Sequence, residues 1–129
     1  MDSQFPPHEE VLTKYVQALE KGDYSCIMTL FTQDAVIVSR LYGKVKASHF
    51  YKELLRDTGK SAITLFHVFT TRNAGAIHFL YKWMLRDGTQ TSFECVDIVE
   101  FSEDGKIKQL TIVYDTSKIR KEFEEMKMK

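Results

Sequence analysis

Apolar residues recur at helical spacing in the first half of the chain. The stripe predicts a helix over residues 8–21, and its members are Val11, Leu12, Tyr15, Ala18 and Leu19. Asp23 is a suitable cap for a second helix, whose apolar side is predicted to carry Cys26, Ile27, Leu30 and Phe31. A strand over 36–41, a loop at Tyr42-Gly43 and a third helix complete this half. The third helix is capped by Ser48, ends near residue 59 and carries Phe50, Tyr51, Leu54 and Leu55.

Strand-like alternation replaces the helical spacing after Gly59. Strands are predicted over residues 62–71, 76–86, 89–101 and 106–114, with turns at "RNAG", "RDG" and "SEDG". The tail, 116–129, is predicted to form an amphipathic helix through Ile119, Phe123 and Met126. Helices followed by antiparallel strands predict one α+β domain over 1–129, with a core of about 8–115 and a strongly curved, mainly antiparallel sheet packed against helices.

The turn at "RDG" decides which residues of two neighbouring strands face inward. A two-residue turn would pair His78 with Asp97, whereas a three-residue loop with a left-handed Gly88 pairs Tyr81 with Phe93. We favour the longer loop because a slip of one residue would bury a lysine. The inward face is then predicted to hold Phe79, Tyr81, Trp83, Phe93, Cys95 and Asp97.

Composition and charge narrow the classes of function. The 129 residues carry 18 basic and 18 acidic side chains, which argues against a nucleic-acid partner. No apolar run approaches the length of a membrane span, and the first residues do not resemble a signal peptide. Two cysteines do not make a disulfide framework, so we expect a cytoplasmic protein. The four histidines lack metal-ligand spacing and no cofactor motif is present, so neither metal nor cofactor is expected.

The stretch "FECVDIVEF", residues 93–101, places a carboxyl group on an apolar face. Alternation puts Asp97 in the same phase as Phe93 and Phe101, and a buried ionised carboxylate is costly. Asp97 is therefore protonated, paired or hydrated. It either serves a pocket as a hydrogen-bond donor, or it is a structural residue bonded to Tyr15 or to the backbone.

Two segments resemble one superfamily. "YVQALEKGDYSCIMTLFTQDAVI" (15–37) and "VDIVEFSEDGKIKQL" (96–110) are similar to the opening helices and last hairpin of nuclear-transport-factor-two-like proteins, which include ketosteroid isomerase, scytalone dehydratase and SnoaL-like polyketide cyclases. The resemblance covers about residues 11–115. It implies a cone: a bent sheet wrapped around a long helix, with an apolar interior pocket. It also implies a homodimer formed through the outer sheet face, where Leu80, Val96 and Ile98 are expected.

The resemblance to the isomerase also implies roles for single residues. Its oxyanion-hole tyrosine corresponds to Tyr15 and its protonated aspartic acid to Asp97, whereas its general base corresponds to Ser39. A serine cannot abstract the proton unaided. His67 is the alternative proton acceptor, if it faces inward with Ile63 and Leu65. The other candidate ligand-binding residues, each of which could instead be simple core, are Ser39, Phe79, Tyr81, Trp83, Phe93, Cys95, Leu110, Ile112 and Tyr114.

Two classes of function remain open from the sequence. The first is a pocket protein that binds or transforms a small hydrophobic ligand bearing a carbonyl or hydroxyl group, by isomerase, dehydratase or cyclase chemistry. The second is a protein–protein module whose interior is filled with side chains. A cavity of at least about 300 Å³ favours the first.

Overall fold

The computed structural model describes residues 7–115 and 120–128. Its helices are α1 (His8–Lys21), α2 (Tyr24–Thr29), α3 (Ala47–Asp57) and α4 (Arg120–Met128). Its strands are β1 (Phe31–Ser39), β2 (Gly43–Lys46), β3 (Thr58–Thr70), β4 (Ala74–Leu85), β5 (Gln90–Phe101) and β6 (Ile107–Val113). The predicted α+β class, with helices first and long strands after, is confirmed.

All six strands belong to one sheet, in the order β2-β1-β6-β5-β4-β3. Only β1 and β6 pair in parallel; the other neighbours are antiparallel. Irregularities in register interrupt the pairing of β1, β3 and β6. Such bulges bend strands, so the sheet curves around α1 and α3, and the core lies between these helices and its inner face.

The first helix follows its sequence pattern closely. Its whole apolar stripe is buried, and Leu12 and Tyr15 are at most 1% exposed. Gly22 ends the helix in the left-handed conformation, with φ of 70°, where a side chain would be strained. Asp23 then accepts a hydrogen bond from the backbone N–H of Cys26 at 3.0 Å, as expected of a helix cap.

The register predicted for the β4–β5 hairpin is confirmed. Gly88 is left-handed, with φ of 91°. Phe79 pairs with Cys95, and Tyr81 pairs with Phe93. The inward face therefore holds the aromatic residues and Asp97, as the choice of the longer loop required.

The region between α2 and α3 departs from the prediction. Phe31 is the first residue of β1 instead of part of the second helix, so this strand begins five residues earlier than position 36. An edge strand that was not predicted, β2, begins at Gly43 within the predicted loop and pairs with β1. The third helix begins at Ala47 without a side-chain cap, so the expected capping role of Ser48 is wrong.

A bulge in β3 reverses the expected orientation of its second half. Leu65 pairs with Phe79, but the next paired residue, His67, lies opposite His78, so Phe66 is an extra residue. Since side chains alternate along a strand, one extra residue moves every later side chain to the other face. His67 and Phe69 thus lie on the outer face.

The C-terminal helix packs on the core through the predicted side chains. Phe123 and Met126 are buried, whereas Ile119 lies outside the described residues. No helix in the described part of the chain is long and apolar enough to cross a membrane.

Candidate functional site

An interior cavity lies between the inner sheet face, α1, α3 and the β1–β2 turn. The enclosed volume is about 50 Å³, and it reaches about 460 Å³ only when the open solvent at the mouth is included. The enclosed part is therefore smaller than the roughly 300 Å³ that favours a ligand site, and only the open cleft as a whole exceeds that size. The lining residues are Tyr15, Leu19, Ser39, Leu41, Tyr42, Phe50, Leu54, Phe79, Tyr81, Trp83, Phe93, Cys95, Asp97, Ile112 and Tyr114.

All but two of the predicted site residues line this cavity. Leu110 is on the same face as Ile112 but pairs with Val99, and it is completely buried in the core. It supports the site without lining it. The second exception is His67.

The expectation that His67 faces the interior is wrong, because the β3 bulge turns its ring outward. Its Nδ1 lies 3.1 Å from Nδ1 of His78, and the two rings stack with centroids 5.3 Å apart. Nε2 of His78 lies 3.0 Å from a carboxylate oxygen of Glu94. These three side chains form an exposed polar cluster on the outer face, so His67 cannot act as a base in the cavity.

Asp97 is the buried carboxyl of the site. It is 1% exposed, and its Oδ1 has no hydrogen-bond partner among the described residues. Burial raises the pKa of Asp97 to about 8, because the anion loses its hydration without gaining a cation. At neutral pH the group is mainly a neutral acid, which can donate one hydrogen bond.

Tyr15 lies near Asp97 but does not bond to it. Its hydroxyl instead shares a hydrogen bond of 2.7 Å with the hydroxyl of Tyr51. Burial, then the charges of Tyr51 and Asp97, raise the pKa of Tyr15 well above its usual value. The two groups are close enough to interact electrostatically, but the alternative in which Asp97 is bonded to Tyr15 is wrong, because the partner of Tyr15 is Tyr51.

The other acidic groups around Asp97 stay neutral over a wide range of pH. Burial raises the pKa of Tyr51, Tyr81 and Cys95 far above their ordinary values, and raises that of Tyr114 to about 12. Among the described lining residues, Asp97 is thus the group whose charge changes near physiological pH.

Ser39, which the resemblance places at the position of the isomerase base, lies at the end of β1. It is 6% exposed, and its Oγ accepts hydrogen bonds from the N–H groups of Leu41 at 3.2 Å and Tyr42 at 3.4 Å. These bonds stabilise the turn into β2. The described cavity lining contains no histidine and no carboxyl other than Asp97, so no general base faces Asp97 there.

Five lining residues were not expected from the sequence. They come from α1, the β1–β2 turn and α3, and they are Leu19, Leu41, Tyr42, Phe50 and Leu54. Three of them belong to apolar helix stripes that the periodicity did identify. Periodicity shows that a helix face is buried, but not whether it packs on a strand or borders an empty space.

The C-terminal helix packs against two aromatic residues of the cavity lining. The ring of Phe123 lies 5.2 Å from that of Tyr42 and 5.9 Å from that of Trp83, measured between centroids. Both partners line the cavity.

Within the part of the chain that the structure describes, no group of three or more potential ligands could hold a metal ion.

Structural neighbours share this architecture. TerC co-crystallised with polyporic acid aligns with a TM-score of 0.77 and 15% identity, over 92% of this chain and 99% of that one. A protein with a ketosteroid isomerase-like fold from Catenulispora acidiphila, in complex with trimethylamine, aligns with a TM-score of 0.74 and 15% identity, over 84% of this chain and 87% of that one. An NTF2-like protein of unknown function from Cytophaga hutchinsonii aligns with a TM-score of 0.72 and 13% identity, over 92% of this chain and 98% of that one. No curated protein sequence matches the chain.

The helices, the open curved sheet and these neighbours define a protein with the nuclear-transport-factor-two-like fold. More narrowly, residues 12–110 match the SnoaL-like domain, and the chain belongs to that family.

Proposed function

We propose that the protein binds a small, largely apolar molecule in the interior cavity and holds a carbonyl or hydroxyl oxygen of that molecule with Asp97. The observation that carries this proposal is the buried Oδ1 of Asp97, which lines the cavity and has no partner among the described residues. A buried polar atom without a partner is costly, so a ligand oxygen that accepts from the protonated carboxyl stabilises the complex.

The surroundings of Asp97 support a neutral ligand that is mostly hydrocarbon. Aromatic and aliphatic side chains form most of the lining, and the described lining residues include no lysine, arginine or histidine. Such walls favour apolar surface and offer no counter-charge to a phosphate or carboxylate. Two neighbours were crystallised with small molecules, polyporic acid and trimethylamine, which supports a ligand-binding use of this fold.

Chemistry of the isomerase, dehydratase or cyclase type remains part of the proposal in a restricted form. A neutral Asp97 can stabilise an oxyanion that develops on the ligand. Proton abstraction needs a base, however, and Ser39 is occupied by the turn. Reactions in which the substrate or a water supplies the base are therefore favoured over isomerisation by an enzyme base.

Both cysteines are free thiols, which supports a reducing compartment such as the cytoplasm.

Native mass spectrometry of the purified protein tests the proposal. We expect a co-purifying small molecule with the wild type, and its loss from Asp97→Leu, which keeps similar bulk but has no donor. Lys121→Ala, an exposed change on α4, should retain the molecule. Equal retention by all three proteins would show that Asp97 does not hold the ligand.

A second candidate function is a protein–protein module. It is favoured by the outer sheet face, which exposes 61% of Phe69 and 43% of Ile98. Binding through that face does not need the cavity, so Asp97→Leu would leave it unchanged while Phe69→Lys would weaken it.

A further inference from the structure

The cavity combines an unpartnered carboxyl group with aromatic walls. Asp97 Oδ1 is buried without a hydrogen bond. Asp97 pairs with Ile77 on one side and with Ile112 on the other. The aromatic residues two positions further along, Phe79 and Tyr114, are therefore its diagonal neighbours on the inner face, at about 7–8 Å. Both aromatic residues and Asp97 line the same cavity.

These two features together suit a particular class of cation. Aromatic rings attract organic cations through the negative potential of their faces, and a carboxylate supplies the opposite charge. A primary ammonium group carries three N–H donors that all need acceptors, and the mostly apolar lining offers only a few hydroxyl groups beside Asp97. A methylated ammonium ion presents methyl groups instead, and its charge needs only a carboxylate and rings.

We propose that the cavity also binds a small methylated ammonium ion, with the positive charge beside the carboxylate of Asp97 and the methyl groups against the aromatic side chains. This inference rests on the proposed function, because it assumes that the same cavity admits small molecules. It adds a second class of ligand. A neutral oxygen-bearing ligand requires the protonated form of Asp97, whereas a cation requires the ionised carboxylate.

The groups that face Asp97 decide how this binding depends on pH. Tyr15 and Tyr51 approach it from the helices, and Tyr81, Cys95 and Tyr114 from the strands. All five remain uncharged at pH 9 or below, since burial raises the pKa of each well above its ordinary value. None of them can neutralise the cation, so binding must deprotonate Asp97.

The two ligand classes therefore respond to pH in opposite directions. Affinity for a cation should increase about tenfold per pH unit below the pKa of Asp97, which is about 8, and level off above it. Affinity for a neutral oxygen that accepts from the protonated carboxyl should be constant at low pH and fall above about 8.

Choline and 3,3-dimethyl-1-butanol form a matched pair of probes, because they have the same shape and differ in the replacement of the charged nitrogen by carbon. Calorimetric titration of each at pH 6.5 and pH 9 measures the effect of charge. The proteins are the wild type, Asp97→Asn, and Glu103→Gln as an exposed control that also converts a carboxyl to an amide. Circular dichroism confirms that each variant is folded.

We expect choline to bind at least ten times more tightly than its neutral isostere at pH 9, and its affinity to fall markedly at pH 6.5. This preference should disappear in Asp97→Asn and persist in Glu103→Gln. Equal affinities at pH 9, or an unchanged preference in Asp97→Asn, would overturn the inference. Binding of the alcohol but not of choline would overturn it and leave the proposed function intact, whereas binding of neither would count against both.

Discussion

At the residue scale, Asp97 makes the stability of the protein depend on pH. The carboxyl has neither a cation nor a hydrogen bond to offset its burial, and its pKa is raised to about 8 for that reason alone. The unfolded chain ionises the same group near pH 3.9. Between these values the folded protein holds a proton that the unfolded chain has lost, so the free energy of unfolding decreases as pH rises.

Asp97→Asn is expected to remove this contribution. In the wild type the group lowers the free energy of unfolding by up to about 1.4 kcal/mol per pH unit between roughly pH 4 and pH 8, and adds no slope above pH 8. The variant should match the wild type near pH 4 and exceed it in stability near pH 8. Urea denaturation at several pH values measures the difference, and Glu103→Gln serves as the exposed control. Parallel pH profiles for wild type and Asp97→Asn would show that Asp97 ionises normally in the folded protein.

The hydrogen bonding of Ser39 leads to a prediction about isomerase activity. We expect no efficient isomerisation of a Δ5-ketosteroid, because general-base catalysis contributes about 10²–10⁴-fold and the Ser39 hydroxyl is engaged by two backbone N–H groups. A spectrophotometric assay of product formation with purified protein tests this. Efficient turnover would reveal a base that the described lining residues do not include, such as a bound water.

Alternation along β5 was enough to predict that Asp97 is buried, since Phe93 and Phe101 fix the inward phase of that strand. The hydrogen-bond partner of Tyr15 could not be predicted in the same way. Tyr51 lies 36 positions away on α3, and only the packing of α1 against α3 brings the two hydroxyls together. Sequence patterns identify which side of an element is buried, but they do not fix which buried groups meet.

At the scale of elements, regular pairing was predictable and irregular pairing was not. The left-handed Gly88 and the cost of burying Lys82 fixed the β4–β5 register, and the structure confirms it. The bulge at Phe66 has no comparable signal, because the surrounding residues alternate equally well in either phase. One extra residue there was sufficient to remove His67 from the site.

The C-terminal helix is attached to the core by an ion pair as well as by apolar contacts. Nζ of Lys127 lies 2.6 Å from Oδ2 of Asp57, which is fully buried, and 3.0 Å from Glu53. Asp57 also contacts Arg86 at 3.2 Å and accepts a hydrogen bond from the hydroxyl of Tyr42 at 2.9 Å. Lys127 therefore fixes α4 over the end of the cavity where Tyr42 lies.

Lys127→Ala is expected to lower the free energy of unfolding by about 1–3 kcal/mol, because a buried carboxylate loses one of its partners. The loss should not be larger, since Arg86 and Tyr42 still contact Asp57. Lys121→Ala makes the same change on the exposed side of the same helix and should stay within about 0.5 kcal/mol of the wild type. Chemical denaturation compares the two variants. Equal effects would indicate that the Lys127 ion pair does not contribute to stability.

At the scale of the whole molecule, the two sheet faces have different roles. The inner face covers the core and the cavity, whereas the outer face remains open with apolar side chains among polar ones. The exposed fractions are 43% for Phe66, 61% for Phe69, 43% for Ile98 and 50% for Val113. Clusters of this kind on a sheet often mark an interface. Phe69 owes its outward position to the β3 bulge, so the feature that removed His67 from the cavity also enlarged this apolar surface.

We predict that two copies of the chain pair through this outer face. Light scattering at micromolar concentration should give twice the chain mass of 15.0 kDa. Ile98→Lys and Phe69→Lys should shift the protein toward the monomer, because each would place a charge in the apolar interface at a desolvation cost of several kcal/mol. Gln17→Lys adds the same charge on the exposed side of α1 and should leave the dimer intact. A monomeric wild type, or dimers that tolerate both outer-face lysines, would contradict this assembly and assign the exposed apolar side chains to a different partner.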